Sequence, residues 1–191
     1  MALTSEGTAG AETATMLLVK RAAGGDSEAF GELYDVYLEP IYRYVYHQLK
    51  ERMTAEDITE EVFVKAWKSI KSCRGKEKTF KAWLYRIAHN QVVDYYRYQK
   101  REAKIATPDV IDEADHVQRI EEASESKRLF AEISSLPRNQ KQVVILRFIE
   151  GLEHEEVSKI MGKSQGAIRV LQVRALAKLR KRLLTDGLKN E

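Results

Sequence analysis

The residues of this sequence with most scope for chemistry are basic and aromatic. Seven Lys and Arg side chains fall between positions 163 and 185, in a stretch that holds no Asp or Glu. A helix without carboxylates can approach phosphates without repulsion, and its N-terminal half can enter the major groove of duplex DNA. An ordinary amphipathic helix with a solvated basic face is the simpler interpretation of such a run. The residues just before it distinguish the two.

The segment from Glu155 to Arg169 has the layout of a helix-turn-helix. Ser158 supplies a small side chain where two helices must cross closely, and Gly162 suits a turn position with positive φ. Ser164 is a good N-cap for the second helix. The apolar residues placed to form the core between the two helices are Val157, Met161, Ile168 and Leu171. The pattern predicts a helix-turn-helix that binds duplex DNA.

A second concentration of basic and aromatic residues lies in the middle of the chain. Residues 71–79 form a polar, basic stretch without helical periodicity, which predicts a loop. The helix predicted after it carries Phe80, Trp83, Tyr85, Tyr95, Tyr96 and Tyr98. Cations that hold a backbone and rings that stack on bases suit single-stranded nucleic acid. Aromatic residues at helical spacing also commonly form a core, so composition leaves both interpretations open.

Catalytic and metal-binding patterns are not evident in the sequence. The four histidines, His47, His89, His116 and His154, fall in different predicted elements without a ligand-spaced partner. Cys73 has no His nearby in sequence to activate it, and no phosphate-cradling glycine loop appears. We therefore expect no enzymatic activity, no metal and no cofactor.

Apolar periodicity predicts an all-α protein with two small helical domains joined by an acidic linker, the C-terminal domain being the helix-turn-helix. Residues 1–13 are small and polar and predict a disordered start, and a first domain spans 14–104. Residues 105–126 hold seven acids against one Arg, which favours a hydrated linker, although part of it could also be helical. The second domain spans 127–186.

Several residues predict where helices begin and end. Asp26 and Ser27 are N-cap candidates, and Pro40 is expected to bend or divide the helix that follows. Thr54 has the spacing of a capping box and is expected to open the next helix. In the second domain, Pro137 and Gly151 suit the start and the end of a helix.

Composition restricts where the chain can work. The single cysteine precludes an intramolecular disulfide, the start of the chain lacks the pattern of a signal peptide, and the apolar runs are too short to cross a bilayer. These features predict a cytoplasmic protein without membrane insertion. The net charge of +3 is too small to identify a partner.

The order of motifs resembles a known family. The segment from Ala55 to Trp67 resembles region 2.2 of the extracytoplasmic-function (ECF, group IV) sigma factors of the bacterial sigma-70 family. The segment from Phe80 to Asn90, with Asp94 and Arg97, is similar to their regions 2.3 to 2.4. Leu136-Pro137, Gly151-Leu152 and the helix-turn-helix resemble region 4. The resemblance runs from about Leu17 to Leu184 in the family's order.

The resemblance implies a subunit that binds core RNA polymerase and directs it to promoters, as a stress- or signal-responsive alternative sigma factor. Contacts with the clamp helices of the polymerase β′ subunit would come from Asp57, Glu60, Glu61 and Phe63. The melted −10 strand would be held by Lys65, Ser72, Cys73, Arg74, Tyr85 and Asn90. The duplex −35 element would be contacted by Lys163, Ser164, Gln165, Arg169, Val170, Val173, Arg174 and Lys178. Implied partners are core polymerase, including its β subunit, promoter DNA and a candidate anti-sigma factor.

The chain departs from the family pattern at five positions. Glu60 stands in place of the usual Gln, and Cys73 in place of a frequent aromatic residue. Glu153 replaces the usual Ser or Thr cap, whose loss typically costs about 0.5–2 kcal/mol. Leu171 and Gln172 stand where many members carry an Arg and an apolar residue, respectively, which predicts a slight rotation of the recognition helix. The alternative interpretation is a stand-alone helix-turn-helix regulator that works without polymerase.

Overall fold

The computed structural model describes residues 5–73, 80–105 and 125–187, and the side chains of 14–73, 80–102 and 128–183. Its α-helices are α1 (Ser5–Ala23), α2 (Ser27–Leu49), α3 (Arg52–Ser69), α4 (Phe80–Ile105), α5 (Glu125–Ser134), α6 (Arg138–Val144), α7 (His154–Met161) and α8 (Gln165–Gly187). A 3₁₀ turn, Ile70–Ser72, follows α3, and a π turn, Ile145–Ile149, continues α6. The described ranges contain no strand, so the predicted all-α class is confirmed.

The start of α3 and the course of α2 differ from their predictions. Helix α3 begins at Arg52, and the Glu51 carboxylate accepts the backbone N–H groups of Met53 at 2.9 Å and Thr54 at 2.6 Å. The prediction that Thr54 opens this helix is therefore wrong, because the longer side chain of Glu51 already caps it. Helix α2 runs through Pro40 as one element, so the expectation that Pro40 divides the helix is wrong, while a bend at Pro40 stays a prediction. Its start is as predicted, with Asp26 accepting the N–H of Ala29 at 3.1 Å.

The start of the chain also differs from its prediction. Helix α1 begins at Ser5, inside the segment 1–13 for which composition predicts disorder. The residues of this segment show no apolar periodicity, because small residues such as Ala can form a helix that has no distinct apolar face. Residues 74–79 of the predicted loop and 106–124 of the predicted linker lie outside the described residues.

Helices α1 to α4 share one hydrophobic core. Leu33 and Ile41 of α2, Val62 of α3, and Leu84 and Val92 of α4 are at most 1% exposed. Edge-to-face aromatic contacts connect the helices, including a pair between α2 and α3 with ring centroids 4.7 Å apart. Burial of this many large apolar side chains is the main force that holds the four helices together.

Helices α5 to α8 form the second unit around the helix-turn-helix. Val143 and Leu146 pack with Val157 of α7 and Ile168 of α8, and all four are fully buried. Pro137 precedes α6, and Gly151 ends the following π turn with a φ of 68°, as expected from the sequence. The two helices of the motif are therefore fixed against α6 by apolar contacts.

The two units pack against each other, with α4 lying on α7 and α2 on α6. The guanidinium of Arg138 lies 4.2 Å from the ring centroid of Tyr96, and the ring of His47 stacks on Phe130 at 4.7 Å. Lys141 donates to the carbonyl of Gln48 at 3.1 Å. Its burial, with Lys50 and Arg138 nearby, lowers the pKa of Lys141 to about 8. Cations therefore lie inside the contact between the units.

No helix within the described ranges is both long enough and apolar enough to cross a membrane.

The stability of this arrangement should depend on pH through His89. Its side chain is 7% exposed, with Nδ1 3.5 Å from the Tyr44 hydroxyl. Burial, and then the charges of Arg138 and Lys163, lower the pKa of His89 from 6.5 to about 4. Between these values the unfolded chain binds more protons than the folded chain, so the free energy of unfolding falls as pH falls.

We expect this residue alone to remove about 3 kcal/mol between pH 6.5 and 4. Urea unfolding of the wild type and of His89→Gln, measured across that window, tests the expectation. The variant cannot gain the proton, so its stability should fall less steeply with decreasing pH. Parallel curves for the two proteins would show that His89 does not contribute.

Candidate nucleic-acid interface

Helix α8 presents one face to solvent and buries the other. Ile168, Ala175 and Leu179 are at most 6% exposed and face the core. Leu171 packs against them, and the Gln172 amide oxygen accepts a hydrogen bond from His154 Nε2 at 2.9 Å. Leu171 and Gln172, the two residues of α8 that depart from the family pattern, are both partly buried and contact the rest of the unit. They fix the helix by one apolar contact and one polar contact.

The opposite face of α8 carries the predicted −35 residues. The exposed members are Ser164, Gln165, Arg169, Val170, Val173, Arg174 and Lys178. Val170 and Val173 are 49% and 66% exposed, although they are apolar. Exposed valines between exposed arginines are unfavourable in water and suit a surface that contacts both thymine methyl groups and base edges. Lys163, at the turn, is half-buried.

The helix-turn-helix itself has the predicted local geometry. Gly162 has a φ of 61°, and the Ser158 hydroxyl donates to the carbonyl of Lys163 at 2.5 Å. Ser164 accepts the N–H of Ala167 at 3.2 Å, which confirms it as the cap of α8. At the start of α7, the Glu156 carboxylate accepts the N–H of Glu153 at 2.7 Å. This bond compensates for the missing Ser or Thr cap.

The predicted polymerase surface lies along α3. Asp57, Glu60 and Glu61 are exposed on one side of the helix, next to a shallow depression that Lys65 also lines. Phe63 is 5% exposed and belongs to the core, with its ring 4.7 Å from that of Tyr34. The expectation that Phe63 offers a direct contact is therefore not met by this structure. Its spacing from Asp57 places it on the inner side of the helix.

One amide side chain connects this surface with a predicted −10 residue. Gln91 of α4 is buried, donates to the Glu61 carboxylate and accepts from the Lys65 amine. Sequence reasoning did not identify Gln91, because nothing in its local pattern indicates which residues lie across from it on α3.

The other predicted −10 residues are placed differently from one another. Asn90 and Ser72 are exposed, and the Ser72 hydroxyl donates to the Ser69 carbonyl at 2.7 Å. Cys73 is half-buried and packs against the core. Arg74 lies outside the described residues. Lys65 and Asn90 are therefore exposed on α3 and α4, respectively.

Tyr85 is fully buried between the two units, contrary to the expectation that it is free to contact DNA. Its ring lies 5.4 Å from that of Tyr44, and its hydroxyl donates to the carboxylate of buried Glu150. Burial and the Glu150 charge raise the pKa of Tyr85 above its usual value. Lys81 donates to the backbone carbonyl of Glu150. Helix α4 thus uses a predicted strand-binding residue to hold the second unit.

A cleft of about 810 Å³ separates α4 from the helix-turn-helix. Its walls come from α4, α6, the end of α7 and the turn, and they include Asn90 and Lys163. The structure therefore brings one predicted −10 residue and one predicted −35 residue into the same cleft. Among the described residues, no group of three or more His, Cys, Asp or Glu side chains is placed to hold a metal ion.

Comparison with known proteins agrees with this division into two units. Residues 33–102 match the family described as Sigma-70 region 2, and residues 133–181 match Sigma-70, region 4. The ECF RNA polymerase sigma factor BldN of Streptomyces coelicolor is 38% identical over 176 residues, which cover 90% of this chain. That alignment covers 66% of BldN, so the chain spans just under two thirds of this relative. SigX of Bacillus subtilis is 29% identical over 82% of this chain and 84% of its own length.

Two solved structures have a similar fold. CnrH in complex with the cytosolic domain of CnrY gives a TM-score of 0.68 with 25% identity, over 91% of this chain and 99% of that one. The sigma factor RpoE of Bartonella quintana, in complex with the anti-sigma factor NepR, gives a TM-score of 0.71 with 22% identity, over 82% and 98% of the two chains.

Two helical units, one of them with an exposed helix-turn-helix, define the class as helix-turn-helix proteins. The ECF RNA polymerase sigma-E factor of Haemophilus influenzae is 33% identical over 80% of this chain and 86% of its own length. The chain therefore belongs to the sigma-70 family, in its ECF branch, and is an alternative RNA polymerase sigma factor. Helices α2 to α4 therefore contain region 2, and α5 to α8 contain region 4. Family membership decides against the stand-alone regulator.

The hydrogen bond between Tyr85 and Glu150 should contribute measurably to stability. In Tyr85→Phe the buried carboxylate loses its donor, and we expect the free energy of unfolding to fall by about 1–3 kcal/mol. Tyr98→Phe is the matched control, since Tyr98 donates to Glu102 at 2.5 Å on the surface of the same helix. Urea unfolding should show a loss below about 0.5 kcal/mol for the control. Equal losses would contradict the importance of the interdomain bond.

Proposed function

We propose that this sigma factor binds core RNA polymerase through the acidic side of α3 and recognises promoters with α4 and α8. The observation that carries the proposal is the exposed face of α8, where Val170 and Val173, which no core covers, lie between Arg169 and Arg174. A second support is the separate exposed row of Asp57, Glu60 and Glu61 on the other unit. The two surfaces can be occupied by different partners at once.

At the −35 element, α8 enters the major groove with its exposed face toward the bases. Arg169 and Arg174 can each pair bidentately with a guanine, and Val170 and Val173 can touch thymine methyl groups. Ser164 and Gln165 at the N-terminus of the helix, with Lys163 and Lys178, are assigned to the phosphates and base edges beside them. Leu171 packs against the core, which supports this choice of the face of α8 that is turned toward the bases.

At the −10 element, an unpaired strand lies along α3 and α4. Lys65 holds the backbone, Asn90 reads a base edge, and Ser72, Cys73 and Arg74 are assigned to an extruded base. Tyr85 joins them only after region 4 has moved away, because its hydroxyl is bonded to Glu150 in the packed form. Polymerase, by holding regions 2 and 4 apart, makes this contact available.

The remaining expectations follow from this role. The protein works in the cytoplasm, where polymerase and the chromosome are, without a cofactor or catalytic chemistry of its own. It responds to a stress or another signal through an anti-sigma factor.

The proposal as a whole is tested by a pull-down with core polymerase, followed by run-off transcription. We expect stable association and new transcripts that depend on a promoter. Without core polymerase, the chain should have little effect on the same promoter. Tight duplex binding without polymerase association would contradict the proposal and would fit a stand-alone regulator.

Arg174→Ala tests the register of α8. If Arg174 pairs bidentately with a guanine, its loss should weaken promoter binding by about 1–3 kcal/mol and relax preference at one position of the −35 element. The measurement is binding of holoenzyme to a set of promoters with single base changes. Arg128→Ala, which removes an exposed arginine from α5, is the control and should leave the preference intact. An unchanged preference in Arg174→Ala would overturn the register.

Glu60→Lys tests the docking surface on α3. Reversing an exposed charge that faces a complementary partner should weaken polymerase binding by at least about 1 kcal/mol and slow association. Glu39→Lys is the control, because Glu39 is also exposed and pairs only loosely with Arg43, at 3.8 Å. Both variants should unfold like the wild type. Equal affinity of the two variants for core polymerase would remove α3 from the proposed interface.

A further inference from the structure

The cleft between α4 and the helix-turn-helix is strongly cationic. The five cations in its walls, against a single acid, Asp94, are Arg86, Arg97, Arg138, Lys159 and Lys163. Arg97 lies 3.2 Å from Asp94, and Lys159 lies 3.0 Å from Glu155. His89 also lines the cleft, and the positive charges of Arg138 and Lys163 lie close enough to lower its pKa.

Two donor groups in these walls are buried without a hydrogen-bond acceptor. Gln142 is 1% exposed, and its Nε2 finds no partner among the described residues. The Nη2 atom of Arg138 is also buried and unpartnered, although its guanidinium stacks on Tyr96. A buried donor without an acceptor costs about 1–3 kcal/mol, and more when it is charged. Both unpartnered atoms are donors, and both belong to residues that line the same cleft.

We propose that this cleft binds a small polyphosphate anion, which holds α4 of region 2 against the helix-turn-helix of region 4. Phosphate oxygens supply the acceptors that Arg138 and Gln142 lack, and they neutralise the cations that face each other across the cleft. The volume of about 810 Å³ suits a ligand of nucleotide size rather than a single phosphate. Val93, Ile160 and Met161 provide an apolar wall against which a base can lie.

The proposed ligand would have a consequence for activity that rests on the proposed function. Asn90 and Lys163, which are assigned to the −10 and −35 elements, both lie in the walls. An anion between them occupies groups that would otherwise meet DNA. The same anion favours the packed form in which Tyr85 stays bonded to Glu150. A small-molecule polyphosphate would therefore oppose promoter binding by free sigma factor.

The experiment measures binding of inorganic tripolyphosphate to the full chain without polymerase, by calorimetry at constant ionic strength. A second titration uses adenosine triphosphate without divalent metal. We expect saturable binding of one tripolyphosphate per chain, and slower hydrogen exchange in α4 and α7 when it is bound. Tighter binding of the nucleotide would assign the ligand to nucleoside polyphosphates, whereas equal binding would assign it to the phosphate chain alone.

The variant Arg138→Gln/Lys163→Gln tests the site, and its affinity should fall about tenfold for each cation removed. The matched control, Lys20→Gln/Arg43→Gln, loses two exposed cations outside the cleft and should bind as the wild type does. If the double variant fails to fold, Lys163→Gln alone carries the test, because it leaves the contact of Arg138 with Tyr96 in place.

Three results would overturn the proposal. They are the absence of saturable tripolyphosphate binding, equal affinity in the cleft variant and its control, and binding of a short single-stranded oligonucleotide at the cleft without binding of tripolyphosphate. Because polymerase is absent from these measurements, they leave the sigma-factor function untouched. Failure of the pull-down with core polymerase would, in turn, leave the anion site untouched.

Discussion

The packed arrangement of the two units depends on how α4 meets region 4. Tyr85 and Lys81 both donate to Glu150, one to its carboxylate and the other to its backbone carbonyl. A buried carboxylate needs such donors, because its charge is costly away from water. The rest of the contact includes the stacking of His47 on Phe130. Separating the units would expose Glu150 to water and free Tyr85.

The same contact brings like charges together, which limits how firmly it can hold. Lys141 is 8% exposed and lies near Lys50 and Arg138, and its pKa is lowered to about 8. The facing cations of the cleft add to this repulsion. Two units that each carry an excess of cations meet this difficulty whenever they pack together, because surfaces that attract phosphates repel each other. Acceptors such as Glu150 and the carbonyl of Gln48 offset part of the cost.

Sequence patterns predicted the local structure of region 4 well and the contacts between units poorly. Gly162 and Ser164 have the predicted roles because a turn and a cap depend on neighbouring residues. The exposure of Arg174 could also be predicted, from the period of a helix. The burial of Tyr85 could not, because its partner Glu150 lies 65 positions along the chain. Glu51 caps α3 in place of Thr54, because its longer side chain reaches the backbone N–H groups of Met53 and Thr54. The spacing of a capping box does not take the length of a side chain into account.

Gln91 connects a residue assigned to polymerase binding with a residue assigned to DNA binding. Its single amide group is shared between Glu61, which is assigned to polymerase, and Lys65, which is assigned to DNA and lines the same depression on α3. A planar amide cannot turn to follow one partner without changing its geometry toward the other. A displacement of the Glu61 carboxylate that turns this amide therefore also changes the geometry that the amide oxygen offers to the Lys65 ammonium.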